Sequence, residues 1–102
     1  MDQAKLKERI PADQVAAICR RYRVQRLAVF GSVLGEDFGP TSDVDFLVEF
    51  EPDAQIGFLA LGRMQRELEA LVGRPVDLVP RGGLKPRIRD AVLSTTEVVY
   101  AA

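Results

Sequence analysis

The sequence has no histidine, no tryptophan and only one cysteine, Cys19. Without histidine there can be no serine or cysteine triad built on imidazole, no His-ligated zinc and no imidazole acid–base chemistry. One cysteine excludes an internal disulfide framework and fits a reducing cytosol. No apolar run approaches the roughly 18 residues of a membrane span. Met1 to Ile10 mixes charged and polar residues and predicts no secretory signal. Neither sign of charge dominates: 14 Lys and Arg stand against 15 Asp and Glu, a net charge of -1. Direct nucleic-acid binding, which calls for a broad basic footprint, is therefore not expected. What remains is chemistry run on carboxylates, hydroxyls, backbone dipoles and a hard metal.

At 102 residues, 47% hydrophobic and 28% charged, the chain is sized for one core, and a single domain over residues 1–102 is expected. The charge is unevenly spread. Residues 1–26 hold seven Lys and Arg against three Asp and Glu, residues 27–80 three against ten, and residues 81–102 four against two. An acidic centre between basic ends suits a phosphate site in which carboxylates hold a cation and Arg or Lys steady the anion.

Pro11 suits the first turn of a helix, and Val15, Ile18, Cys19 and Tyr22 then recur at helical spacing. Arg26 to Phe30 predicts a buried strand ending at Gly31-Ser32, with Val33-Leu34 opening a short helix and residues 35–42 a loop. Asp43 to Phe50 predicts a second strand. Gly57 to Val72 predicts a helix with Phe58, Leu61, Met64, Gln65, Leu68, Leu71 and Val72 on or near one face, and Gly73 as its C-cap. Val76 to Val79 reads as a third strand, Arg81-Gly82-Gly83 as a turn, Pro86 to Leu93 as a helix and Glu97 to Tyr100 as a last strand. Strands alternating with helices predict an α/β (α+β) fold, a small mixed β-sheet flanked by helices.

Three features carry chemistry. On a strand, residues i and i+2 share a face, so Asp43 and Asp45 project side by side while Val44, Phe46, Val48 and Phe50 face the other way. Two adjacent carboxylates repel unless a proton or cation intervenes. Oxygen ligands without His or Cys select Mg²⁺ or Mn²⁺ over zinc. Asp77 interrupts the apolar third strand and would add a third carboxylate if that strand lay beside the second. Gly31-Ser32 supplies the anion end: glycine permits close backbone approach, and a hydroxyl with free N–H groups favours phosphate. Taken singly, each feature also has a plain structural explanation: a turn, a solvated strand cap, a strand-edge charge.

Together, Gly31-Ser32, ten residues, and Asp43-x-Asp45 resemble the signature of the DNA polymerase β-like nucleotidyltransferase superfamily. Leu27-Ala-Val-Phe-Gly-Ser, Ser42-Asp-Val-Asp-Phe-Leu-Val-Glu-Phe and Pro75-Val-Asp-Leu-Val-Pro are similar to the minimal nucleotidyltransferase (MNT) family over roughly Leu27 to Tyr100. The resemblance implies that Gly31 and Ser32 bind nucleotide phosphate. It implies that Asp43 and Asp45 hold the metals, and that Asp77 shares a metal and activates an acceptor hydroxyl. It also implies a cytoplasmic antitoxin paired with a HEPN-type toxin, transferring AMP from ATP to a toxin tyrosine. Family members often read Gly-Ser-Arg-Ala-Arg-Gly where this chain reads Gly31-Ser32-Val33-Leu34-Gly35-Glu36, so Arg81, Lys85 and Arg87 become the candidate phosphate cations. Two other functions stay open: an antitoxin that neutralises its partner by binding alone, and a homo-oligomeric (dimeric) nucleotidyltransferase acting on a small molecule.

Overall fold

The computed structural model describes residues 11–30, 44–83, 90 and 96–102. Gly31, Ser32, Asp43, Lys85 and Arg87 lie outside the described residues, as do residues 33–42 and, but for Asp90, the helix expected over Pro86 to Leu93.

The first helix, α1, spans Ala12–Arg21 behind Pro11 and buries Val15, Ile18 and Cys19, the stripe its spacing predicts. Strand β1 runs Val24–Phe30, two residues longer at its start than the apolar run alone suggested. The extension arises because Val24 pairs with Phe50 of the next strand, β2 (Val44–Phe50). Helix α2 covers Phe58–Val72, strand β3 covers Val76–Pro80, and a single 3₁₀ turn follows at Arg81–Gly83. The last strand, β4, is Glu97–Ala101. Gly73 closes α2 at φ 73°, a left-handed conformation that a residue with a Cβ adopts at a cost.

The sheet order is β3-β2-β1-β4, with β1 antiparallel to both β2 and β4, and β2 parallel to β3. A parallel pair needs a crossover, and α2 provides it. Residues of period two divide the sheet into two faces. Val24, Leu27, Val29, Val44, Phe46, Val48, Val76 and Leu78 join Val15, Ile18, Cys19, Met64 and Leu68 in one buried cluster against the helices. The alternate residues Asp45, Leu47, Glu49 and Asp77 fall on the second face. The fold is thus a small α+β arrangement, and no helix among the described residues is long and apolar enough to cross a membrane.

One expected core residue is not in the core. Phe58 is 89% exposed, as is most of Leu59. At 3.6 residues per turn Phe58 falls about 100° away from the line through Met64 and Leu68, beyond the face that meets the sheet. Gln65 and Glu69 take up a different task. Gln65 Oε1 accepts from the Leu78 N–H at 3.3 Å, and Glu69 Oε2 from the Val76 N–H at 2.9 Å. These are the outward N–H groups of edge strand β3, and satisfying them from the helix blocks strand addition there.

Cys19 is fully buried, and burial pushes its thiol up to about 12. The thiolate is the reactive form, so a thiol reagent at about pH 8 is expected to leave Cys19 unmodified in the native protein and to label it at once in denaturant. Labelling of native protein at the rate of a free thiol would contradict the packing of α1.

The helices are also joined by a polar contact. The Tyr22 hydroxyl and Arg21 Nη1 both donate to the Glu67 carboxylate. The tyrosine hydrogen bond holds the Glu67 carboxyl below its usual range, and the same bond raises the Tyr22 phenol. A carboxyl lowered on folding contributes stability above the ordinary carboxylate pKa and loses it as pH falls through the folded value; the raised phenol contributes below its ordinary pKa and loses it in strong alkali. Tyr22→Phe should therefore cost about 1 kcal/mol at neutral pH, a partly exposed bond to a charged group. The melting-temperature gap between wild type and variant should close as the pH is taken below the carboxylate range. A gap independent of pH would remove Glu67 from the account.

Candidate active site

The β2–β3 register sets Asp45 directly opposite Asp77, one residue into each of two parallel strands. Neighbouring strands lie about 4.8 Å apart, and in-register residues of a parallel pair present their side chains to one face. Asp45 is half-buried and Asp77 exposed. Two like charges at such a spacing repel by about 1 kcal/mol in a water-like medium and by more where water is excluded. An oxygen-seeking cation between the two carboxylates would offset that repulsion.

On its other side Asp45 is opposite Phe30, the last residue of β1. Gly31 and Ser32 are the next two residues along the chain from Phe30, and Asp43 is two residues before Asp45. Among the described residues, Phe30, Asp45 and Asp77 stand side by side across β1, β2 and β3. Among the described residues no group of three metal-ligating side chains gathers. The donor set at hand is oxygen only, which fits a hard divalent ion and not zinc.

Of the candidate phosphate cations, Arg81 is described. Its Nη1 donates to Glu49 Oε1 at 2.8 Å, and Arg26 Nη1 stands 3.8 Å from Glu49 Oε2. Glu49 follows Asp45 by four residues on the same face of β2, about 13 Å along the strand. Arg81 is thus engaged at the opposite end of β2 from the aspartates. With Ala28, Leu47 and Thr96 these three residues line a cavity of about 170 Å³. Nothing in the local sequence singles out this charge cluster. Its signal was available in part: Asp45, Leu47 and Glu49 share strand parity, but Arg26 meets Glu49 only through the β1–β2 register.

A four-stranded mixed sheet with helices packed on one face is a small α+β architecture that matches a minimal nucleotidyltransferase structure. A solved chain described as a candidate minimal nucleotidyltransferase superposes with a TM-score of 0.73 at 37% identity, covering 95% of each chain. Residues 12–99 match the nucleotidyltransferase domain family, and the chain belongs to that family of transferases. It is similar to the protein adenylyltransferase MntA of Thermococcus cleftensis, 41% identical over 80 residues, 78% of this chain and 77% of that one. The fold also recurs, at 17% identity and a TM-score of 0.71, in a toxin–antitoxin structure with AMP-PNP, covering 90% of this chain and 74% of that chain.

Proposed function

We propose that this chain is an MNT-type antitoxin that transfers AMP from ATP to a hydroxyl, a tyrosine, of a HEPN-type toxin. The observation that carries the proposal is the register pairing of Asp45 with Asp77. Support for the acceptor's being a protein comes from the relative named as a protein adenylyltransferase. The fold is shared with a chain of a complex described as a tri-AMPylated Shewanella oneidensis HEPN toxin with its MNT antitoxin, at a TM-score of 0.64 and 17% identity.

In this reading Gly31 and Ser32 hold the ATP phosphates by backbone N–H groups and a hydroxyl. Asp43, Asp45 and Asp77 would hold Mg²⁺, or Mn²⁺, and a divalent ion bound there supplies positive charge to phosphate oxygens. Asp77, exposed at the sheet edge, faces an incoming acceptor and takes the proton of its hydroxyl. The acceptor oxygen bonds to the α-phosphorus, the bond from that phosphorus to the α,β-bridging oxygen breaks, and pyrophosphate leaves. In this reading a partner protein brings the hydroxyl to the site, in keeping with the relative named as a protein adenylyltransferase. Such a pair would act in the cytoplasm, where the lone Cys19 stays reduced.

The test is transfer of label from α-labelled ATP to the protein encoded next to this one, with wild type and with Asp45→Asn. Label that disappears in the variant supports the transfer. Neutralisation of the partner by both proteins, with label from neither, would replace enzymology by occlusion, the outcome to which the absence of arginines after Gly31-Ser32 points. Label passed to an aminoglycoside with no partner present would instead favour the small-molecule reading.

A further inference from the structure

The helix layer carries a feature that nucleotidyl transfer does not use. Between the end of α1 and the outer side of α2 lies a cleft of about 580 Å³, lined by Arg21, Tyr22, Arg63, Arg66, Glu67 and Ala70. Its single carboxylate is already satisfied, since Glu67 accepts from both Arg21 and Tyr22. The Arg21 guanidinium also sits 5.8 Å from the centre of the Tyr22 ring, which fixes both groups in place. Arg63 and Arg66 are exposed and, among the described residues, take part in no hydrogen bond or ion pair. Three guanidiniums against one carboxylate leave the cleft with a charge of +2 on a chain whose net charge is -1.

We propose that this cleft docks an acidic amphipathic helix of a partner protein. The site is an open surface spanning the C-terminal end of α1 and two turns of α2, against which a third helix can lie. Arg63 and Arg66 stand one turn apart, the spacing of carboxylates three or four residues apart on a facing helix. Tyr22, Ala70 and the arginine stems supply the apolar floor. A nucleic acid fits less well. Three arginines make a small footprint for a polyphosphate, and the second face of the same small molecule presents Asp45 and Asp77. A partner held on the helix layer leaves the aspartate corner uncovered, so docking and transfer are separable functions. The inference rests on the partner-protein reading above only for the existence of a partner, and its test involves no nucleotide.

The experiment is fluorescence anisotropy with the full chain at about 150 mM salt. The probe is a labelled amphipathic peptide of about 20 residues with Glu on its polar face, alongside a Lys counterpart and a single-stranded RNA of about 20 nucleotides. The wild type should bind the Glu peptide, and Arg63→Glu/Arg66→Glu should weaken it about tenfold or more while gaining affinity for the Lys peptide. That charge-swap gain, which an unfolded variant could not show, separates lost contact from lost fold. Asp45→Asn should bind the Glu peptide as wild type does. Equal affinity of wild type and reversal variant, no binding of the Glu peptide at all, or RNA bound more tightly through the same arginines would each overturn the proposal.

Discussion

Asp45→Asn and Asp77→Asn are each expected to reduce AMP transfer by about a thousandfold or more, corresponding to about 4 kcal/mol of lost transition-state stabilisation. The side chains are isosteric, so packing is unchanged. What changes is charge: an amide neither balances a divalent ion nor accepts the acceptor's proton. In the proposed function the two residues act on one centre, so the double variant should be little worse than either single one. Without metal the melting temperature of Asp77→Asn should hold or rise slightly, since one of two repelling charges is gone. Single-turnover label transfer, with thermal melts alongside, checks both halves. Transfer within tenfold of wild type in Asp77→Asn would separate the two aspartates and leave Asp45 without its opposite number.

The second large effect is on stability. Phe46 is fully buried, lies between Asp45 and Leu47, and is in register with Val29 on one side and Leu78 on the other. Phe46→Ala should cost about 3–5 kcal/mol, the transfer term plus the cavity left in the cluster. Domains of this class are stable by about 5–15 kcal/mol in total, so the variant is expected to be partly unfolded at growth temperature. Urea denaturation measures the loss. A cost below about 1 kcal/mol would mean that the sheet and helices close over the gap, contrary to the packing of Met64 and Leu68 on that face.

Much of this architecture was legible before any coordinates. The α1 stripe, the α2 stripe from Leu61 to Val72, the Gly73 cap and the alternation in β2 are local patterns, written within a turn or two of chain. Gly73 declared itself because the left-handed cap it adopts is a conformation other residues avoid. Phe58 misled because a helical stripe has a width, and its flank cannot be located until the opposing surface is known. The start of β1 was hidden for a related reason: Gln25 is polar, and Val24 joins the strand only by pairing with Phe50 across an irregularity at Gln25. The candidate site was half legible. Strand parity alone predicts that Asp43 and Asp45 share a face, and Asp43 lies outside the described residues. That Asp77 stands opposite Asp45 depends on β3 lying beside β2 in one register out of several, which no local pattern states. The same holds for Arg81 and Glu49, 32 residues apart and joined only in the folded sheet.

The capped edge of β3 has a mechanical consequence. Among the described residues Asp77 rides on a strand with one flanking strand, and its two neighbours in sequence are tethered to Glu69 and Gln65 on α2. The acid is thereby suspended between sheet and helix like a string between two pegs. A displacement of that helix relative to the sheet would therefore pull on the backbone on both sides of Asp77.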